Sequence, residues 1–130
     1  KCMLGGELLD GPGCYYPATL LVDVTPGMPA YDEELFGPVV TVFRVTDAEA
    51  AIKMANDSAY GLSACIFTQD IKRGESIAKD HIQAGTVSVN ALVSSDPRLP
   101  FGGIKRSGFG REMAAPGIHE FMNMKTITIR

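Results

Sequence analysis

Apolar and polar positions alternate with two different periods along this chain. Near the start, Cys2-Met3-Leu4 and Tyr15-Tyr16 flank a turn-rich stretch holding Gly5-Gly6 and Asp10-Gly11-Pro12-Gly13. Residues that tolerate positive φ suit tight connections, so the pattern predicts an N-terminal hairpin. Thr19–Val24 is a β-branched and apolar run, ended by Pro26, Gly27 and Pro29. Proline cannot donate to a ladder, and the run reads as a strand. Val39–Val45 reads as another, with Val39, Thr41, Phe43 and Val45 sharing a face.

The period then changes. Ala48, Ala51, Ile52 and Ala55 recur at helical spacing, and Thr46 and Glu49 stand three apart as in a capping box. Gly61 is placed to close this helix in left-handed conformation. Leu62–Phe67 predicts a short buried strand. Asp70 predicts the cap of a second helix to about Ile82, with Ile71, Ala78 and Ile82 inward and Gly85 at its end. Thr86–Val89 predicts a further strand. Residues 39–89 therefore read strand-helix-strand-helix-strand, an α/β fold with a βαβαβ parallel-sheet core. Thr126–Ile129 alternates polar and apolar and predicts a terminal strand that pairs with another segment or another subunit.

The chain has 130 residues, 45% hydrophobic and 21% charged, with a net charge of -3. This is globular composition without the basic footprint of a nucleic-acid binder. No apolar run approaches the roughly 18 residues of a membrane span. Three cysteines without a CxxC pair argue against a disulfide framework or a zinc site and fit a reducing, cytoplasmic setting. The chain starts at Lys1 without a signal-peptide pattern, as a fragment of a longer protein or a chain whose start was removed would.

Several chemistry-bearing motifs are incomplete. Gly103 and Gly108 have P-loop spacing, but Phe109 and Gly110 stand where lysine and serine belong. A tight, basic-studded turn feeding a helix is the better reading of residues 100–112. Cys65, between Ala64 and Ile66, reads as a small core hydrophobe. His119-Glu120 is half of an HExxH motif without its second histidine, and no metal site is expected. Asp32-Glu33-Glu34 before Leu35-Phe36-Gly37-Pro38 leaves two readings open. It is a solvated turn, or a carboxylate beside an aromatic face, able to take two ribose hydroxyls and support a flat ring.

Three segments together carry a resemblance. Glu33-Glu34-Leu35-Phe36-Gly37-Pro38-Val39, Asn56-Asp57-Ser58-Ala59-Tyr60-Gly61-Leu62 and Pro100-Phe101-Gly102-Gly103-Ile104-Lys105-Arg106-Ser107-Gly108-Phe109-Gly110-Arg111-Glu112 each resemble signature stretches of the aldehyde dehydrogenase superfamily, in that family's order. The resemblance covers essentially the whole chain and implies the C-terminal part of the catalytic domain over residues 1–124, with an oligomerisation strand at 125–130.

The family oxidises aldehydes to acids, passing hydride to NAD or NADP. No segment here matches its nucleophilic cysteine or general-base glutamate, so the resemblance implies no catalytic residue in this chain and no activity of the chain alone. It implies that Glu34 accepts hydrogen bonds from the nicotinamide ribose and that Phe36 contacts the nicotinamide side. It also implies that the loop from Asn90 to Phe101 lines the aldehyde entrance. Within the superfamily the chain most resembles succinate-semialdehyde dehydrogenases. Ser94, Ser95 and Arg98 carry the donors that a carboxylate-bearing aldehyde would want, and Asp96 would repel it unless Arg98 neutralises that charge. The expected partners are a small aldehyde and further copies of the chain, joined through the terminal strand, with no nucleic acid and no membrane. Two other readings are a stand-alone binding or assembly module derived from that fold, and a small α/β domain with an unrelated ligand.

Overall fold

A computed structural model describes residues 1–130. Its contacts divide the chain into two compact units, Lys1–Ala51 and Ile52–Arg130. The first is built on a three-stranded sheet of β1 (Cys2–Leu4), β2 (Thr19–Val22) and β3 (Val39–Val42), in that order. β1 runs antiparallel to β2, with Cys2 opposite Leu21. The N-terminal hairpin therefore closes on Thr19–Val22 and not on Tyr15–Tyr16. The Gly5–Ala18 connection is instead pinned by Thr19, whose Oγ1 accepts from Gly6 N at 3.0 Å and donates to Pro17 O at 2.9 Å.

β2 and β3 run parallel, Thr19 opposite Val39 through Val22 opposite Val42. Their crossover holds the one-turn helix α1 (Pro29–Asp32), which proline starts because its missing N–H is an orphan there anyway. The Asp32 carboxylate accepts from Gly27 N at 2.9 Å, and the Tyr31 ring meets Phe43 edge-on at 5.6 Å. Helix α2 (Ala48–Asn56) follows. Its cap is Asp47 rather than the expected Thr46–Glu49 box: Asp47 Oδ1 accepts from Ala50 N at 2.8 Å, and the Thr46 hydroxyl donates to Asp47 Oδ2 at 3.0 Å. In the predicted apolar stripe of α2, Ala48 and Ile52 are half-buried while Ala51 and Ala55 are exposed.

In the second unit, β4 (Tyr60–Gly61) pairs antiparallel with β7 (Ile104–Lys105), and β5 (Ser63–Ile66) pairs parallel with β6 (Thr86–Val89). Gly61 is thus a strand residue and not a left-handed helix cap. The helix between β5 and β6 is α3 (Ile71–Asp80), capped as expected by Asp70, whose Oδ1 accepts from Arg73 N at 3.0 Å. Gly74 is its one buried residue: a Cβ there would lie 2.8 Å from Thr68 Cγ2 and 2.9 Å from Val89 Cγ1. α3 therefore approaches β6 through the absence of a side chain, and Ile71, predicted inward, is exposed.

The chain has the strand-helix-strand-helix-strand order, but not the single sheet expected over residues 39–89. β3 and β5 belong to different sheets: β3 takes β2 as its parallel neighbour and is an edge strand, and β5 pairs with β6. Cys65 also departs from its core reading, since alternation along β5 leaves Ser63 and Cys65 exposed and Ala64 and Ile66 half-buried. After α4 (Ala114–His119), residues 126–129 join no ladder, and Ile127 and Ile129 are 75% and 91% exposed. The predicted terminal strand has no partner within the chain.

Among residues with a side chain, only Thr19 and Val24 are buried. The chain exposes 10593 Å² at 13.9 kDa, where a self-contained protein of that mass exposes about 6,700 Å². No helix is long and apolar enough to cross a membrane.

Candidate functional site

The acidic and aromatic cluster lies in the first unit, between α1 and β3. Two consecutive three-residue turns shape it: Gly37 N donates to Leu35 O and Val39 N to Gly37 O, both at 2.8 Å. Such turns are common at strand ends, and here they set Phe36 and Pro38 at the two apices. Phe36 is 94% exposed. With Leu35, Pro38 and Tyr16 it lines an open pocket of about 620 Å³ that Cys2 and Cys14 also reach. Glu34, two residues before Phe36, is exposed, and no hydrogen bond within the chain engages its carboxylate. An ionised carboxylate accepts through both oxygens. Glu34 and Phe36 therefore offer two acceptor atoms and a bare ring face.

The loop expected to line an aldehyde entrance lies in the second unit. Asn90 begins it with φ of 54°, a conformation asparagine tolerates better than most residues. Its amide makes two hydrogen bonds with one backbone unit: Oδ1 accepts from Thr68 N and Nδ2 donates to Thr68 O, both at 2.8 Å. Asn90 clamps the start of the loop to the segment leading into α3. Ser94 and Ser95 are exposed.

Asp96-Pro97-Arg98-Leu99 forms a turn, with Leu99 N donating to Asp96 O at 2.9 Å. Aspartate first and proline second is the sequence such a turn prefers. Asp96 Oδ1 also accepts from Arg98 N at 2.9 Å. Arg98 Nε donates to Oδ1 at 2.9 Å, and Nη2 to Oδ2 at 2.6 Å. The Arg98 side chain, foremost, and its backbone N–H hold the Asp96 carboxyl below the usual carboxylate range, and the pair raises Arg98. Asp96 is thus neutralised from within the loop.

Phe101 is half-buried and exchanges two backbone hydrogen bonds with Glu112, at 2.9 and 2.8 Å. Ala114 N donates to Pro97 O at 3.1 Å. Both ends of the loop are consequently tied down. Met113 and Ala114 hold this geometry at φ of 62° and 50°, unfavourable values for residues with a side chain.

The glycine-rich segment is the tight, basic-studded turn that the sequence suggests. Lys105 Nζ donates to the Asn56 and Ser58 carbonyls at 2.7 and 3.0 Å, and the Arg106 guanidinium lies 5.6 Å from the centre of the Tyr60 ring. Ser107 Oγ accepts from Gly61 N at 3.0 Å, and Arg111 Nη1 donates to the Gly103 and Gly110 carbonyls at 2.9 and 2.6 Å. Asn56, which in the sequence is only the first residue of the second signature segment, has a structural role. Its Nδ2 donates to His81 O at 2.7 Å and its Oδ1 accepts from Gln83 N at 2.8 Å, joining the end of α2 to the residues after α3. No local pattern announces such a clamp, because its partners lie more than 20 residues away.

A family model described as aldehyde dehydrogenase family matches residues 1–127. A probable NADP-dependent succinate-semialdehyde dehydrogenase of Synechocystis is 51% identical over 128 residues, covering 98% of this chain and 28% of that protein. The succinate semialdehyde dehydrogenase Sad of Escherichia coli is 48% identical over 127 residues, 98% of this chain and 27% of that protein. Among solved structures, a succinic semialdehyde dehydrogenase from Streptococcus pyogenes in complex with NADP+ superposes with a TM-score of 0.92 at 40% identity, over 99% of this chain and 28% of that one. A Mycobacterium tuberculosis aldehyde dehydrogenase complexed with NAD+ gives 0.85 at 37% identity, over 93% and 25%. The chain thus spans little more than a quarter of the length of these relatives. With a family model matched over nearly its whole length and such relatives on every side, this chain belongs to the aldehyde dehydrogenase family.

Proposed function

We propose that this chain is the C-terminal portion of a cytoplasmic, NAD- or NADP-dependent aldehyde dehydrogenase that oxidises succinate semialdehyde to the dicarboxylic acid. The observation that carries the reading is the presentation of Glu34 and Phe36: a carboxylate without an internal partner, two residues from an aromatic ring almost wholly in solvent. Exposed phenylalanine and unengaged carboxylate fit the nicotinamide half of a dinucleotide, the carboxylate taking two ribose hydroxyls and the ring covering an apolar face. Bound NAD or NADP would supply the hydride acceptor, and this chain's residues would orient it. The nucleophile and general base would come from outside these 130 residues, so the isolated chain turns over no aldehyde.

The C-terminal placement rests on the resemblance alone: the three segments resemble stretches that, in this family, follow the nucleophilic cysteine and the general-base glutamate. A segment of a larger enzyme also accounts for the surface: roughly 3,900 Å² beyond that of a self-contained protein of this mass would be covered by the remaining polypeptide and by neighbouring subunits. Residues 1–124 would then be catalytic-domain sequence and 125–130 a strand added to a second subunit's sheet. Ser94, Ser95 and Arg98 would meet the distal carboxylate of the substrate, with Phe101 forming the apolar wall and Asn90 holding the loop in place.

Glu34→Gln in the longer protein tests the cofactor role. A carboxamide keeps the size but loses one acceptor, so the ring is held less firmly. Misplacement by about 1 Å costs roughly a hundredfold in rate. Single-turnover measurement should show hydride transfer slowed more than cofactor binding is weakened. An unchanged transfer rate would remove Glu34 from the cofactor site.

A further inference from the structure

Arg98 is gripped along one edge only. A guanidinium carries five N–H donors in a planar fork. Nε and Nη2 are turned onto the two oxygens of Asp96, while the Arg98 side chain as a whole stays 86% exposed. The outer edge, formed by Nη1 and the second Nη2 hydrogen, meets no acceptor in the chain. Asp96 is itself fixed, 29% exposed, with Oδ1 accepting from Arg98 N inside the Asp96–Leu99 turn. Pro97 at the second position of that turn is tied to Ala114 N. The grip on the guanidinium is therefore anchored through the turn to the backbone.

An unbound arginine samples many rotamers, and ordering it on ligand binding costs affinity. Here that ordering is done before a ligand arrives. A planar outer edge left open matches a second carboxylate, which guanidinium groups bind in two-pronged fashion. The loop carries no net charge from this pair, so any preference for an anionic substrate has to come from geometry.

We infer that Asp96 is a positioning residue for substrate selection, holding Arg98 by its Nε–Nη2 edge so that the Nη1–Nη2 edge receives the distal carboxylate of an ω-carboxy aldehyde. This rests on the reading of Arg98 as a substrate contact. It adds that the acidic neighbour assists anion recognition and does not oppose it.

The test measures kcat/KM for succinate semialdehyde and for butanal, an uncharged aldehyde of equal chain length, in the longer protein carrying this segment. The ratio of the two constants reports selection and is insensitive to a general loss of folded enzyme. Arg98→Gln should lower the ratio about tenfold or more, since charge-assisted hydrogen bonds are lost. Asp96→Asn keeps an oxygen for the turn but loses the charged two-pronged grip, and should lower the ratio about tenfold through a raised KM for succinate semialdehyde. Asp96→Ser, which also keeps a turn acceptor, is the second variant and should behave alike. If Arg98→Gln lowers the ratio while both Asp96 variants leave it unchanged or raise it, the positioning role is wrong, and the Arg98 contact stands only if Arg98→Gln also lowers the ratio in the Asp96→Asn background, where no unmasked carboxylate repels the substrate. If Arg98→Gln leaves the ratio unchanged, the Arg98 contact fails and the inference falls with it.

Discussion

Asn90 and Thr68 are joined by a closed pair of hydrogen bonds, amide oxygen to backbone N–H and amide nitrogen to backbone carbonyl, each 2.8 Å. The pair sits where β6 ends and the candidate substrate loop begins. It fixes the loop's first residue in a left-handed conformation, so the loop inherits its starting direction from the segment before α3.

Asn90→Ala should therefore destabilise the protein by about 1 kcal/mol or somewhat more, because two solvent-exposed hydrogen bonds are lost at about 0.5–1.5 kcal/mol each. Asn90→Gly tolerates the backbone angle but also loses both bonds, and should fall between wild type and alanine. Chemical denaturation of the three proteins checks the order. Alanine as stable as wild type would mean that the clamp is unimportant.

Gly85 is set by contact rather than by backbone angle. A Cβ on this residue would fall inside the Gly102 carbonyl oxygen, whereas a Cβ on Gly37 would meet nothing within 4 Å. Gly85→Ala should cost about 1–3 kcal/mol or more, as overpacking does. Gly37→Ala should be near neutral. Thermal unfolding of both variants gives the comparison, and equal melting temperatures would contradict the packing.

Acid should loosen the start of α2. The Ala50 backbone bond, and then the Thr46 hydroxyl, lower the Asp47 carboxyl from its ordinary value. A carboxylate with a depressed folded-state pKa contributes stability that is complete above the unfolded value, near pH 4, and disappears as pH falls through the folded value. Hydrogen exchange at the first-turn amides of α2 should therefore lose protection below about pH 4 in wild type. Asp47→Ala should lack that protection at neutral pH and show no such step.

Removing residues 125–130 should weaken subunit association in the longer protein. Ile127 and Ile129 are exposed and unpaired here, and burying each would contribute about 1.5–3 kcal/mol. Light scattering over a dilution series should show dissociation of the truncated protein at higher concentration than the intact one. Identical masses down to nanomolar concentration would rule out the strand as a main determinant.

Local chemistry was readable without coordinates. Asp70 caps α3 and Thr86–Val89 is a strand, because each depends on residues within a few positions of itself. Membership of the family was legible for another reason: the Glu33–Val39, Asn56–Leu62 and Pro100–Glu112 segments follow its pattern, and the family model matches residues 1–127. Only the tertiary structure decided what lies far apart in sequence. β3 took β2 for its parallel neighbour and left β5 to β6. Cys65 fell on the exposed side of β5, because period-two alternation says which residues share a face and not which face is covered. Even close to home, Asp47 displaced Thr46 as the cap of α2: the helix begins at Ala48, so the side chain of the residue just before it is the acceptor within reach of Ala50 N–H. The clamps made by Asn56 and Asn90 have no local pattern and exist only once the folded chain brings His81, Gln83 and Thr68 against them. A side-chain amide has one donor face and one acceptor oxygen, and only the arrangement of distant backbone determines what they bind.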